Sequence, residues 1–91
     1  MLKPRYTAQF KKDFKAIEKR GYPVSLLEDV VRVLCAEETL PAKNRDHALS
    51  GDYAGFRECH IQPDWLLIYR VEKQILTLTL TRTGTHSDLF A

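Results

Sequence analysis

The sequence is poor in several things at once. It holds two cysteines, Cys35 and Cys59, far apart and in no C-x-x-C pair. A secreted domain of this size would carry a denser disulfide framework, so the two read as small apolar residues in a reducing cytoplasm. No apolar run approaches the roughly 18 residues that a membrane-spanning helix needs, so no membrane partner is expected. The start, Met1-Leu2-Lys3-Pro4-Arg5, lacks the apolar stretch of a secretory leader, and none is expected. Charge of one sign is scarce too. Lys and Arg number 14 against 12 Asp and Glu, and a net +2 does not by itself announce nucleic-acid binding. Length is also short: 91 residues predict one domain over 1–91, with no room for a separate cofactor domain. What is present is a globular composition, 44% hydrophobic and 29% charged.

The charge is unevenly spread. Residues 3–20 carry seven basic and two acidic residues, a balance of +5, whereas residues 21–46 balance at −2. The basic first segment suggests a face tuned for a polyanion. Thr7 is a natural N-cap, and Phe10, Phe14 and Ile17 follow at helical spacing. Lys11, Lys12, Lys15 and Lys19 fall off that stripe, and Gly21 is a C-terminal stop. Pro23 and Ser25 open a second helix, in which Leu26, Leu27, Val30, Val33 and Leu34 repeat with helical spacing to about Glu38. The period then drops towards two. Asn44 to Gly51 is polar and turn-like. Strands are predicted over 55–61, over 65–71 and over 75–81, with Leu76, Leu78 and Leu80 on one face of the last. A first strand over 2–6 completes the reading. Helices followed by a strand meander predict an α+β fold: a small twisted antiparallel sheet with two N-terminal helices packed on it.

All three histidines, His47, His60 and His86, lie in the second half, at strand ends or in polar turns. RNA cleavage needs a group that takes a proton from the 2′-OH and one that gives a proton to the leaving 5′-oxygen. Imidazole, with an unperturbed pKa of about 6.5, suits both roles. An Asp such as Asp64 can fix the imidazole tautomer. Arg82 can hold the phosphorane by charge-assisted hydrogen bonds, and Trp65 and Phe90 can stack on splayed bases. No metal or other cofactor is required. Each residue also has a plainer reading. Single histidines are often structural, Trp65 opens an apolar strand and suits a core, and Phe90 can pack on the sheet. Arg82 can be a surface ion-pair partner, and the helix lysines can be a solvated face. The histidines match no local zinc-ligand spacing. Adjacent Cys59 and His60 point to opposite strand faces, which speaks against a Cys–His pair. Residue types and spacing alone therefore reach a small α+β domain with a candidate His/Asp/Arg site.

Four strings go further: D-H-A-L-S-G, G-F-R-E-C-H-I, P-D-W-L-L-I-Y and R-T-G-T-H-S-D-L-F, in this order over residues 46–90. Together they strongly resemble the YafQ branch of the RelE/ParE toxin superfamily. The resemblance implies a bacterial type II toxin, an endoribonuclease that cuts mRNA in the ribosomal A site by metal-independent acid–base catalysis. It also implies a cytoplasmic protein whose partners are the ribosome, mRNA and a DinJ-like antitoxin that wraps and neutralises it. Operator DNA would be reached only through the antitoxin complex. By motif position, His47, His60, Asp64 and His86 form the acid–base group. His86 is then the general acid, His60 with Asp64 the general base or its orienting partner, and His47 a support. Arg82 becomes the phosphate ligand, with Trp65 and Phe90 as substrate aromatics. Lys11, Lys12 and Lys15 gain a role against ribosomal RNA phosphates or the acidic parts of the antitoxin. The competing reading on the same scaffold is a ParE-like toxin that inhibits DNA gyrase without being an enzyme, which would not need the His60/Asp64/Arg82/His86 set.

Overall fold

Thr7 turns the chain from strand into helix. Strand β1 (Lys3–Tyr6) leads into α1 (Ala8–Lys19), and the Thr7 hydroxyl accepts the Phe10 backbone N–H at 2.9 Å as N-cap. The structure is a computed structural model and describes residues 1–90. Phe10 and Ile17 are buried along one face of α1, and Phe14 is partly buried beside them. Helix α2 (Val24–Cys35) adds Leu27, Val30 and Leu34 to the same core. It ends earlier than the apolar repeat predicts. Glu37 adopts a left-handed conformation (φ 59°), its N–H bonds to the Leu34 carbonyl, and the Glu38 N–H bonds to the Val33 carbonyl. That pair of bonds is a Schellman stop, here with glutamate in the position glycine usually takes.

The rest of the chain builds the sheet. After a 3₁₀ turn at Ala42–Asn44 come β2 (His47–Ala48), a second 3₁₀ turn (Gly51–Tyr53), β3 (Arg57–Gln62), β4 (Trp65–Glu72), a third 3₁₀ turn (Lys73–Ile75) and β5 (Thr77–Gly84). A short helix, α3 (His86–Phe90), follows. The order across the sheet is β1-β5-β4-β3-β2. Strands β2 to β5 pair antiparallel, as expected. β1 joins β5 in parallel, so the sheet is mixed. Leu76 departs from the predicted alternation: it sits in the turn at φ 50°, 54% exposed, rather than beside Leu78. Among the described residues no helix is long and apolar enough to cross a membrane.

The sheet has two different faces. Cys59, Ile61, Trp65, Leu67, Tyr69, Leu78 and Leu80 join the core with α1 and α2. Their neighbours in sequence point the other way. One irregularity decides what the second face contains. Tyr69 pairs with Leu80 but Ile68 pairs with Arg82, so Thr81 is an extra residue in β5. This bulge reverses the alternation. Thr83 turns into the core, 1% exposed, and Arg82 turns to the face that carries Glu58 and Ile68. β1 pairs with β5 only as far as Leu80. Beyond it α1 covers the open edge: the Thr7 hydroxyl donates to the Thr81 carbonyl at 2.8 Å, and Asp13 accepts the Thr83 N–H at 3.2 Å.

Candidate active site

β2, β3, the β3–β4 turn and α3 bring the three histidines to the second face. His47 on β2 stands opposite Glu58 on β3, and Glu58 and His60 are two residues apart on one strand face. The Glu58 carboxylate is nearly buried. The same Oε1 lies 3.5 Å from His47 Nε2 and 3.8 Å from His60 Nε2. The His60 and His86 rings are 5.8 Å apart between centroids. His86 Nδ1 lies 2.6 Å from Asp64 Oδ1, which also accepts the His86 backbone N–H at 3.1 Å. The line His47–Glu58–His60–His86–Asp64 therefore alternates imidazoles with carboxylates over most of its length. The hydrogen bond from the His86 ring, with the backbone N–H behind it, holds the Asp64 carboxyl below its ordinary value.

Neighbouring carbonyls constrain two of the tautomers. A carbonyl can only accept, so a ring nitrogen beside one carries the proton. His60 Nδ1 is 3.1 Å from the Pro63 carbonyl, and His47 Nδ1 is 2.7 Å from the Arg45 carbonyl. In their neutral forms both rings keep Nε2 as a free base, and both Nε2 atoms face Glu58. His86 differs in its anchor: its Nδ1 faces the Asp64 carboxylate rather than a carbonyl, which fixes the orientation of the ring. The Cys59 thiol, pushed up to about 12 chiefly by burial, is no nucleophile.

α3 depends on a close approach. Asp88 accepts the Thr85 N–H at 2.9 Å, while the Thr85 hydroxyl accepts the Asp88 N–H at 3.2 Å, a capping box. Arg20 at the end of α1 reaches Asp88 at 2.9 Å, and this bond first of all holds the Asp88 carboxyl below its usual value. A Cβ at Gly84 would stand 2.9 Å from the Asp88 Cβ, so only glycine fits beneath α3. Phe90 is 49% exposed at the rim. It meets Tyr53 edge-on at 6.0 Å, and Tyr53 meets Phe56 in the same way at 5.9 Å.

With this geometry in place, the chain can be compared with known proteins. A family model described as "Bacterial toxin of type II toxin-antitoxin system, YafQ" matches residues 2–91. The chain belongs to the YafQ toxin family. It is 38% identical over 86 residues to the mRNA interferase toxin YafQ of Escherichia coli K12, covering 93% of this chain and 91% of that protein. Its fold matches a metal-bound toxin from Helicobacter pylori at TM-score 0.94 and 46% identity, over 99% of this chain and 100% of that one. It also matches YafQ in the E. coli DinJ–YafQ complex at TM-score 0.90 and 36% identity, over the whole of both chains. The α+β fold expected from the strand and helix pattern, and its YafQ type expected from the motif resemblance, are thereby established, with β1 parallel and α3 added.

Within this YafQ-family fold, several expected site residues stand elsewhere. Trp65 is fully buried on the core face. Its indole N–H donates to Thr83 Oγ1 at 2.9 Å, and its ring meets Tyr22 edge-on at 5.3 Å. It cannot stack on a base; an apolar strand start proved to be core. Asp64 orients His86 rather than His60, because the β3–β4 turn brings it under the start of α3. Arg82 reaches the site face but is forked onto Asp13, with Nε 2.8 Å from Oδ2 and Nη2 3.2 Å from Oδ1. Asp13, and after it the Tyr53 phenol, holds the Arg82 guanidinium above its ordinary value. Nη1 lies outside that pair. Lys11 and Lys15 line a groove of about 600 Å³ between α1 and α2, on the flank of α1 away from Asp13, and Lys12 is exposed. Glu58 was missed, although its i, i+2 spacing to His60 on a strand was the available signal. Asn44, whose side-chain amide donates to the His60 carbonyl at 2.8 Å, had no such signal. Among the described residues no group of three or more His, Cys, Asp or Glu is placed to hold a metal ion.

Proposed function

We propose that this chain is an mRNA interferase: a type II toxin that cleaves mRNA bound in the ribosomal A site and so stops translation in the cytoplasm. The observation that carries the reading is the His86–Asp64 pair set 5.8 Å, ring to ring, from a His60 whose Nδ1 is engaged by the Pro63 carbonyl and whose Nε2 faces Glu58. His86, oriented by Asp64, acts as general acid and protonates the leaving 5′-oxygen. His60 Nε2 takes the 2′-OH proton, and Glu58 stabilises the imidazolium that forms. The 2′-oxygen attacks phosphorus, the P–O5′ bond breaks, and a 2′,3′-cyclic phosphate is left. Arg82 Nη1 meets the phosphorane, Phe90 offers a half-open ring to a base, and His47 supports the Glu58–His60 pair. No step is assigned to a metal or other cofactor. A chain with this little surface relies on the ribosome to hold the substrate in line.

Lys12, with Lys3 and Arg5, is exposed for ribosomal RNA phosphates. The partner is a DinJ-like antitoxin, supported by the DinJ–YafQ complex at 36% identity. The α1–α2 groove, with Phe10, Phe14, Leu27 and Val31 in its walls and Lys11, Lys15 and Arg32 at its rim, is the apolar seat for one of its segments. Operator DNA is reached only through that complex. The test is primer extension on translated mRNA after induction. Wild type should give cuts in A-site codons, including in chelator, and little cutting of free RNA. His86→Ala should give none. Equal cutting by both proteins would overturn the assignment.

A further inference from the structure

A cluster outside the acid–base line has no part in the chemistry above. Asp46 immediately precedes His47 but points to the other side of the sheet edge. There it accepts a hydrogen bond from the hydroxyl of Tyr69, a residue 1% exposed. Arg57 closes the cluster: Nε is 3.3 Å from Asp46 Oδ1 and Nη2 is 3.3 Å from Oδ2. Arg57 and Tyr69 are register partners on β3 and β4, so the clamp stands on paired strands of the sheet. Burial first, and Asp46 second, push the Tyr69 phenol up, so it remains a donor throughout the working range.

The segment it holds needs holding. β2 is two residues long and lies at the sheet edge. Arg45 before it is left-handed (φ 47°), which turns its carbonyl onto His47 Nδ1. The groups around His47 are Glu58 and, through it, His60 on β3, with Arg45 and Asp46 on its own segment and Arg57 beside Asp46. Before it, Arg45 is held by its N–H to the Ala42 carbonyl and by Asn44 on the His60 carbonyl; without an anchor at residue 46, the Arg45 carbonyl is held against Nδ1 from that side only. The ring could then place its proton on either nitrogen, and Nε2 would no longer be the obligatory base facing Glu58.

We infer that Asp46, gripped by buried Tyr69 and by Arg57, is a positioning residue that fixes the His47 tautomer and aims its Nε2 at the Glu58–His60 pair. The inference rests on the acid–base reading only for its effect on rate; the tautomer it predicts is independent of activity.

The experiment uses the full chain labelled with ¹⁵N in its imidazoles, with long-range ¹H–¹⁵N correlation at neutral pH. Cleavage of mRNA on programmed ribosomes is measured in parallel. Tyr69→Phe keeps the buried ring and removes one donor; Asp46→Asn keeps the shape and removes the charge. Wild type should show His47 as a single Nδ1–H tautomer. Both variants should show mixed tautomers and a kcat lower by about tenfold, with KM unchanged. An unchanged His47 tautomer in both folded variants would overturn the inference, whether or not kcat falls, because a fall alone would then be general loosening. His47→Ala separates the two layers. Wild-type cleavage by that variant would remove His47 from the proposed chemistry, while the tautomer result would still decide the clamp.

Discussion

The two faces of β3, β4 and β5 use alternate residues of the same strands for opposite ends. On the helix side, Cys59, Trp65, Leu67, Tyr69 and Leu80 are all at or below 1% exposure, and the polar atoms among them are paired. On the other side, Glu58, His60 and Arg82 bring charge to a surface completed by the exposed His86–Asp64 pair. On the proposed reading the catalytic groups are confined to this second face, floored by fully buried Leu66 and Ile68, so a one-residue slip would exchange a core residue for a site residue. The Thr81 bulge is such a slip, used once, and it turns Arg82 to the face that carries Glu58 and His60.

The sharpest way to break the contrast is to damage each face in turn. Trp65→Ala on the core face should cost about 3–5 kcal/mol in a denaturant titration. The fraction that stays folded should cleave normally. His86→Ala on the site face should lower cleavage by about 10²–10⁴-fold while moving stability by no more than about 0.5 kcal/mol. If the tryptophan variant were stable and inactive, the assignment of the two faces would be reversed.

Arg82 sharpens the comparison, because it belongs to both sides. Arg82→Met should cost about 1–3 kcal/mol by stranding part of the Asp13 carboxylate, and should also slow cleavage. Asp13→Asn should show the stability loss without the loss of cleavage. Similar in size is Gly84→Ala. Its Cβ would press on Asp88, tilting α3 and His86, with about 1–3 kcal/mol of strain and a fall in cleavage that denaturant titration and rate together would reveal.

The smallest expected effect is a pH dependence. The Asp88 carboxyl is lowered by Arg20, so its contribution to stability is complete above the unfolded carboxylate value of about 3.9 and is lost as pH falls through the lower folded value. Asp88→Asn should therefore be less stable than wild type at neutral pH, and the two unfolding midpoints should converge in acid. A gap that widened in acid would contradict the sign.

How much of this was legible in the sequence differs between the same two faces. The core face was read through periodicity: Phe10, Ile17, Leu27, Leu34, Leu78 and Leu80 all fall where their spacing put them. The histidines were found by residue type, and their order by the four motif strings. Pairings were not legible. Nothing local says that Asp64 turns to His86 rather than His60, since that depends on where α3 starts. Nothing in T-L-T-L-T-R-T announces the bulge at Thr81, because a bulge is set by the partner strand. Glu58 was hidden between apolar and motif residues, and Trp65 was given to the substrate because an indole suits a base as well as a core.

In the proposed reaction His86 gives the proton and His60 takes one. The most direct measurement uses a ribosome-bound mRNA whose scissile 5′-bridging oxygen is replaced by sulfur, a leaving group that needs no proton. His86→Ala should recover most of the wild-type rate on this substrate, and His60→Ala should not. Failure of His86→Ala to recover, or recovery by His60→Ala, would contradict the assignment.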